Sequence, residues 1–205
     1  MVIYGYTYAG GFIAGGLVVT FFAGWPWAIP FWLLAVFCLN FFRDPERIPP
    51  TGPYALSPAD GKVMGVAKEG NATRISIFLN VFDVHVNRTP IPGKLSSIVY
   101  KQGAFLNAAN PQASAANEQN VMVVDGTVGG KQTRIVFSQI AGLIARRIIC
   151  YKQPGDTVAA AERIGLMKFG SRMDVTLGPE WNIQVQAGQR VVAGISILAT
   201  LGEAK

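Results

Sequence analysis

No Asp, Glu, Lys or Arg occurs before Arg43, so all eighteen basic and twelve acidic side chains fall in residues 43 to 205. An uncharged stretch of this length has no polar face to offer water, so it cannot fold as an ordinary surface element of a globular domain. The sequence therefore predicts two parts of different character. Residues 1 to 42 are expected to form an apolar α-helical membrane hairpin, residues 43 to 54 a proline-rich linker, and residues 55 to 205 a folded domain.

Within the arm, Trp25-Pro26-Trp27-Ala28-Ile29-Pro30 reads as a break between two apolar segments, Ala9 to Ala23 and Phe31 to Phe42. The first carries Gly11 and Gly15 at GxxxG spacing, with Gly10 and Gly16 beside them, a pattern that lets helices approach closely in lipid. Each segment is shorter than the roughly 20 residues that span a bilayer comfortably. A hairpin that either spans tightly or re-enters is expected, with the Trp-Pro-Trp turn at an interface. A basic leading region and a small-residue cleavage site are both missing, which argues against a cleaved leader. Arg43 and Arg47 follow the last apolar residue and place the domain on the cytoplasmic side of the cell (inner) membrane. The net charge of +6 suits a surface resting on anionic lipid. Nucleic acid is not an expected partner, because no basic run interleaved with aromatics is present. Cys38 and Cys150 form no disulfide framework and no zinc-type spacing, which fits a reducing compartment and gives no metal site.

From Ala55 onward the pattern is short β-rich runs punctuated by glycine, asparagine and proline. Strands are expected at Lys62 to Ala67, Thr73 to Leu79, Leu95 to Tyr100, Val121 to Val128, Thr133 to Ile140 and Arg146 to Lys152, with Gly129-Gly130 as a hairpin turn. Residues 103 to 120, rich in Ala, Asn and Gln, have no clear period and read as a loop over the sheet, with room for a helical turn and with a covered site as one expectation. Gln153-Pro-Gly-Asp-Thr-Val-Ala-Ala and Gln186-Ala-Gly-Gln-Arg-Val-Val-Ala share the pattern Gln-x-Gly-x-x-Val-x-Ala, a tight turn feeding an apolar strand. Such turn-strand repeats resemble biotin and lipoyl carrier domains. The expected fold is mainly β, a lipoyl/biotin-carrier-like β-sandwich of the barrel-sandwich type. Met167-Lys168-Phe169 matches the carrier lysine context only in part, and it runs straight into Gly170-Ser171.

A serine hydroxyl attacks a peptide carbonyl only with a nearby base and an unusual backbone geometry. Gly170, with no Cβ, can supply that geometry, although Phe169-Gly170-Ser171 also reads as an ordinary turn. Three further features bear on the choice: Ser57-Pro58-Ala59-Asp60-Gly61, Asp83-Val84-His85-Val86-Asn87-Arg88-Thr89-Pro90, and the arm ending in Phe41-Phe42-Arg43-Asp44-Pro45. With Phe169-Gly170-Ser171 and the stretch Gln139 to Arg147, this set in this order closely resembles the short (type A) form of the phosphatidylserine decarboxylase family. The resemblance covers essentially the whole chain.

The resemblance implies a proenzyme that cuts itself between Gly170 and Ser171 into a β chain, 1 to 170, and an α chain, 171 to 205, which stay associated. Ser171 would become a covalent pyruvoyl group, with no metal and no pyridoxal phosphate. The pyruvoyl ketone would form a Schiff base with the serine amine of phosphatidylserine in the membrane, and decarboxylation would release phosphatidylethanolamine. His85 is the only histidine of the chain and the side chain best suited to proton transfer near neutral pH. Longer family members carry a second histidine three residues on, where this chain has Arg88. Either His85 serves both steps or Asp60 acts with less help during maturation. Asp60 is expected to orient His85 or to assist proton removal from Ser171, though Pro-Ala-Asp-Gly is also a favoured turn composition. Arg88, Lys168 and Arg172 are candidates for the substrate carboxylate or phosphate, with a solvated surface charge as the other reading of Lys168 and Arg172. Asn117-Glu118 is given no role, and homodimerisation is left open.

Other classes make different predictions. A membrane-anchored lipoyl-like adaptor without catalysis would stay a single chain. A pyruvoyl decarboxylase of a soluble amino acid has no use for the uncharged arm, and an archaeal-type serine lipid is an alternative substrate.

Overall fold

Gly24, with φ +92, separates two helices, α1 (Ile3–Ala23) and α2 (Trp25–Phe41). These belong to a computed structural model of the chain, which describes residues 2–143, 147–168 and 170–202. The chain divides into two compact units, Met1–Glu46 and Arg47–Lys205.

In the first unit the break falls one residue before the Trp-Pro-Trp segment expected to make it. Pro26 sits in the first turn of α2, where the missing N–H costs nothing, and Pro30 follows inside the helix. The segment that reads as a turn is therefore helix. As a result α1 has 21 residues, long and apolar enough by length and composition to cross a membrane. The helices meet at Gly15 and Gly16, where an added Cβ would come within 3.1 Å of the Phe31 ring and 3.2 Å of Phe31 Cβ. Gly10 and Gly11 face open space, so the expected GxxxG pair contributes one of its two glycines to the contact.

The second unit is mainly β. Its strands are β1 (Tyr54–Leu56), β2 (Gly61–Glu69), β3 (Ala72–Leu79), β4 (Val86–Arg88), β5 (Gly93–Lys101), β6 (Gln119–Val128) and β7 (Lys131–Ile140). They continue as β8 (Ile148–Cys150), β9 (Thr157–Val158), β10 (Arg163–Met167), β11 (Ser171–Leu177), β12 (Trp181–Ile183), β13 (Arg190–Val191) and β14 (Ile197–Leu201). One helical turn, α3 (Ala113–Ala116), interrupts the loop between β5 and β6. Eight strands form a curled antiparallel sheet in the order β13-β2-β3-β11-β7-β6-β5-β9, and two three-stranded sheets, β1-β14-β12 and β4-β10-β8, complete an arrangement compatible with a lipoyl-like sandwich. The expected strands form, and Gly129-Gly130 turns the β6–β7 hairpin with φ +56 and +78. The strand expected at Arg146 to Lys152 is observed as Ile148–Cys150, and Arg146 lies outside the described residues.

Period-2 alternation decides which side chains fill the core. Met173, Val175 and Leu177 of β11 pack with Ile75 and Ile77 of β3 and Phe137 of β7, all fully buried. The Gln-x-Gly echo lies at the two outer positions of the long sheet. Gly155 N–H donates to Leu95 O and Leu95 N–H to Asp156 O at 2.7 and 2.9 Å, while Gly188 and Val63 repeat the pattern with Gln189 at 2.8 Å each. The repeat extends further than the echo. Ser57-Pro58-Ala59-Asp60-Gly61-Lys62-Val63 and Thr89-Pro90-Ile91-Pro92-Gly93-Lys94-Leu95 lead into β2 and β5, which carry register shifts at matching places, Val63/Gly65 and Leu95/Ser97. Ala161 N–H bonds Thr89 O at 3.1 Å, and Gly194 N–H bonds Ser57 O at 2.8 Å. The domain is thus built from two related halves. Asp60 has Pro92 as its counterpart, so the carboxylate is not something the repeated turn itself requires.

Candidate active site

Leu79, Ser171, Ile140 and Gln119 stand side by side at one end of the long sheet, through the pairings Ser171 with Leu79, Arg172 with Ile140 and Gln119 with Ile140. The turn after β3, the loop before β6, the segment after β7 and the junction before β11 leave the sheet at that end.

Ser171 opens β11 on the same face as Met173 and Val175, so its side chain enters the core. The residue is fully buried, and its Oγ has no hydrogen-bond partner among the described residues. A buried hydroxyl without a partner costs about 1 to 3 kcal/mol, so such a position calls for an explanation by function. Gly170 precedes it with φ +69, the left-handed region that a side chain would strain. Phe169 lies outside the described residues.

His85 is fully buried just before β4, and Met167 N–H donates to its backbone carbonyl at 3.2 Å, which ties it to the strand leading into the junction. Its Nδ1 lies 2.9 Å from Asp83 O. A carbonyl can only accept, so Nδ1 carries the proton and the lone pair of the neutral ring sits on Nε2. Asp83 is itself fixed, with Oδ2 accepting Asn80 N–H at 2.9 Å and Oδ1 paired with Arg190. The Asp83 carbonyl is thus one partner that orients the histidine. Asp60 Oδ1 accepts Ala193 N–H at 2.7 Å and its Oδ2 meets Arg47 Nη2 at 3.0 Å.

The three candidate cations are all buried. Arg88 Nη1 donates to Ala161 O at 3.1 Å, and Lys168 lies between β10 and the junction. Arg172, on the face opposite Ser171, donates from Nε to Asp174 Oδ1 at 2.6 Å and from Nη2 to Ser76 Oγ at 2.6 Å, with a longer contact to Asn110 O. Lys168 and Arg172 are thus not solvated surface charges.

Two residues without an expected role stand beside the junction. Asn117, buried, donates from Nδ2 to Leu106 O and Ala141 O at 2.8 Å each, and its Oδ1 accepts Leu106 N–H at 2.9 Å. A Cβ placed on Gly142 would lie 2.2 Å from Gly170 O. Nothing local to the sequence marks either residue, since both act through contacts made across the fold. A cleft of about 670 Å³ lined by Asp125, Thr127, Thr133, Arg134 and Glu180 lies toward the hairpin end of β6 and β7, away from Ser171, and in it Thr133 Oγ1 donates to Glu180 Oε1 at 2.8 Å.

A fully buried serine directly after a left-handed glycine, with the one histidine of the chain buried just before β4, marks the candidate site of this mainly β domain. The model of the family described as phosphatidylserine decarboxylase matches residues 34–199. A relative from Solibacter usitatus (strain Ellin6076), named phosphatidylserine decarboxylase proenzyme, is 58% identical over 195 residues, covering 95% of this chain and 94% of its own. Proteins of the same name from Nitrosomonas eutropha (strain DSM 101675 / C91 / Nm57) and Nitrosomonas europaea (strain ATCC 19718 / CIP 103999 / KCTC 2705 / NBRC 14298) are 46% and 44% identical, over 93% and 95% of this chain and 90% and 92% of theirs. The chain belongs to the phosphatidylserine decarboxylase family.

Proposed function

We propose that the chain decarboxylates phosphatidylserine to phosphatidylethanolamine, using a pyruvoyl group that it makes from Ser171 by cutting itself at Gly170-Ser171. The observation that carries this reading is the fully buried Ser171 Oγ, without a hydrogen-bond partner among the described residues, directly after a left-handed glycine.

In the maturation step, Ser171 Oγ gives its proton to a base and bonds to the Gly170 carbonyl carbon. The Gly170–Ser171 C–N bond breaks, the proton passes to the Ser171 nitrogen, and an ester remains. Loss of the Ser171 α-proton then expels Gly170 as a carboxylate and leaves dehydroalanine. Its enamine tautomerises to an imine, and water replaces the nitrogen with oxygen, releasing ammonia. The group so formed supplies a ketone for a Schiff base with the headgroup amine and an electron sink for the carbanion left by carbon dioxide. His85, its lone pair fixed on Nε2, is assigned proton transfer, and Asp60 the support of the base during cutting. Arg88 and Lys168 are assigned to the substrate carboxylate or phosphate. Arg172 uses its guanidinium on Asp174, Ser76 and Asn110, and we assign it the support of β11.

After cutting, β11 would belong to the small chain while still paired on both sides with β3 and β7, which supports lasting association of the two chains. The length and apolar character of α1 support attachment to the membrane that holds the substrate, and Arg43 and Arg47 support a cytoplasmic domain. The test is carbon dioxide release from phosphatidylserine vesicles by the wild type and by Ser171→Ala. Release by the wild type and none by the variant is expected; equal release by both would refute the role of Ser171.

A further inference from the structure

We propose that Gly142 is a positioning residue for self-cleavage, holding the Gly170 carbonyl where Ser171 Oγ can reach it, and that Asn117 fixes Gly142 in place. The inference rests on the reading of Gly170-Ser171 as the bond that is cut.

A Cβ on Gly142 would lie 2.2 Å from Gly170 O and 3.3 Å from both Gly170 C and Ala108 Cβ. Gly142 is not among the glycines with positive φ, so its backbone does not demand glycine. What demands it is the carbonyl oxygen occupying the place of a side chain. Ordinary contact begins near 3.4 Å, so a methyl group there would push a backbone oxygen aside by about 1 Å. The cradle cannot readily withdraw instead. Ala141, the preceding residue, is held on both sides: its carbonyl accepts from Asn117 Nδ2 at 2.8 Å and its N–H donates to Glu118 O at 2.9 Å. Asn117 is in turn held by both backbone groups of Leu106, and buried Ala108 closes the other side of the cradle. Asn117 thereby links the loop before β6 to the segment after β7, and the scissile carbonyl rests against the pair.

Attack on a carbonyl requires the reacting atoms at about 3 to 3.5 Å along one direction, and a displacement of about 1 Å costs on the order of 100-fold in rate. Gly142→Ala is therefore expected to slow cutting about 100-fold.

The experiment follows pulse-labelled full-length chains, made by cell-free synthesis with phospholipid vesicles, by the fraction cut against time. It compares wild type, Ser171→Ala, Gly142→Ala and the double variant Gly142→Ala/Ala108→Gly. Cooperative unfolding of Ser171→Ala with and without Gly142→Ala reports folding separately. The expected result is prompt cutting of the wild type, slow cutting of Gly142→Ala from a folded chain, and no rescue by Ala108→Gly. Rescue would show that Gly142 acts through packing on Ala108, and wild-type cutting by Gly142→Ala would show that it does not position the carbonyl; either overturns the inference. Should Gly142→Ala fail to fold, a crystal structure of the Ser171→Ala precursor decides, with Gly170 O in contact with Gly142 Cα in support and Gly170 O elsewhere against. A wild type never cut at this bond would refute the cleavage reading itself, a result distinct from the others.

Discussion

Arg172 Nε and Asp174 Oδ1 lie 2.6 Å apart, both side chains buried on the face of β11 opposite Ser171. Asp174 also receives Ser114 Oγ at 2.7 Å and Arg74 Nη1 at 3.3 Å, so the pair joins β11 to β3 and to α3. Without Arg172, Asp174 keeps Arg74 and Ser114 but loses its closest charged donor, and Ser76 Oγ loses a donor too, a loss worth about 1 to 3 kcal/mol. Arg172→Met is therefore expected to lower unfolding stability by about 1 to 3 kcal/mol in denaturant titration. The KM for phosphatidylserine, measured on the matured variant, should change little, whereas a substrate-binding Arg172 would raise it.

His85 Nδ1 bonds the backbone carbonyl of Asp83, a contact that no side-chain substitution removes. His85→Ala is expected to reduce cutting, turnover or both by about 100-fold to 10,000-fold, the usual worth of a positioned acid or base. Scoring the two steps separately assigns the histidine. Normal cutting with lost turnover limits it to decarboxylation, while full activity in both steps would exclude it from the chemistry.

Asp60→Asn keeps an acceptor for Ala193 N–H but loses the ion pair with Arg47. Cutting is expected to slow by about 100-fold while the fold survives. Cell-free maturation kinetics beside a thermal melt check both halves, and unchanged cutting would remove Asp60 from the site.

Much of this arrangement can be read from residue order, and some of it cannot. The long strands and the β6–β7 hairpin follow from alternation and from Gly129-Gly130, both local signals. The helix break moved to Gly24 because prolines that end one helix are also tolerated in the first turn of the next. The two-residue strands β9 and β13 are too short to show a period, yet their shared turn sequence announced them. The larger repeat was also written in the chain, as Ser57-Pro-x-x-Gly-Lys and Thr89-Pro-x-x-Gly-Lys. Gly170, Ser171 and His85 came from a recognisable set of motifs. Asp83, Asn117 and Gly142 did not stand out, because an orienting carbonyl, a clamp between two loops and a vacant side-chain position exist only once distant segments meet.

Glu162 offers a pH test. The Lys152 ammonium and then the Ala159 N–H hold its carboxyl below the usual range. A carboxyl depressed in the folded state adds stability above its unfolded value, and that contribution disappears as the pH falls through the folded value. Thermal unfolding of Glu162→Gln should thus lie below the wild type near pH 7, and the gap should close on the acid side. A gap that is independent of pH would contradict the assignment.

The most direct measurement of the central claim is the intact mass of the purified protein, with and without a carbonyl-reactive hydrazine. The account predicts two chains, 1 to 170 and 171 to 205, the smaller lacking an N-terminal amine and gaining one hydrazone. A single chain of 22.0 kDa that takes up no hydrazine and still releases carbon dioxide from phosphatidylserine would contradict it.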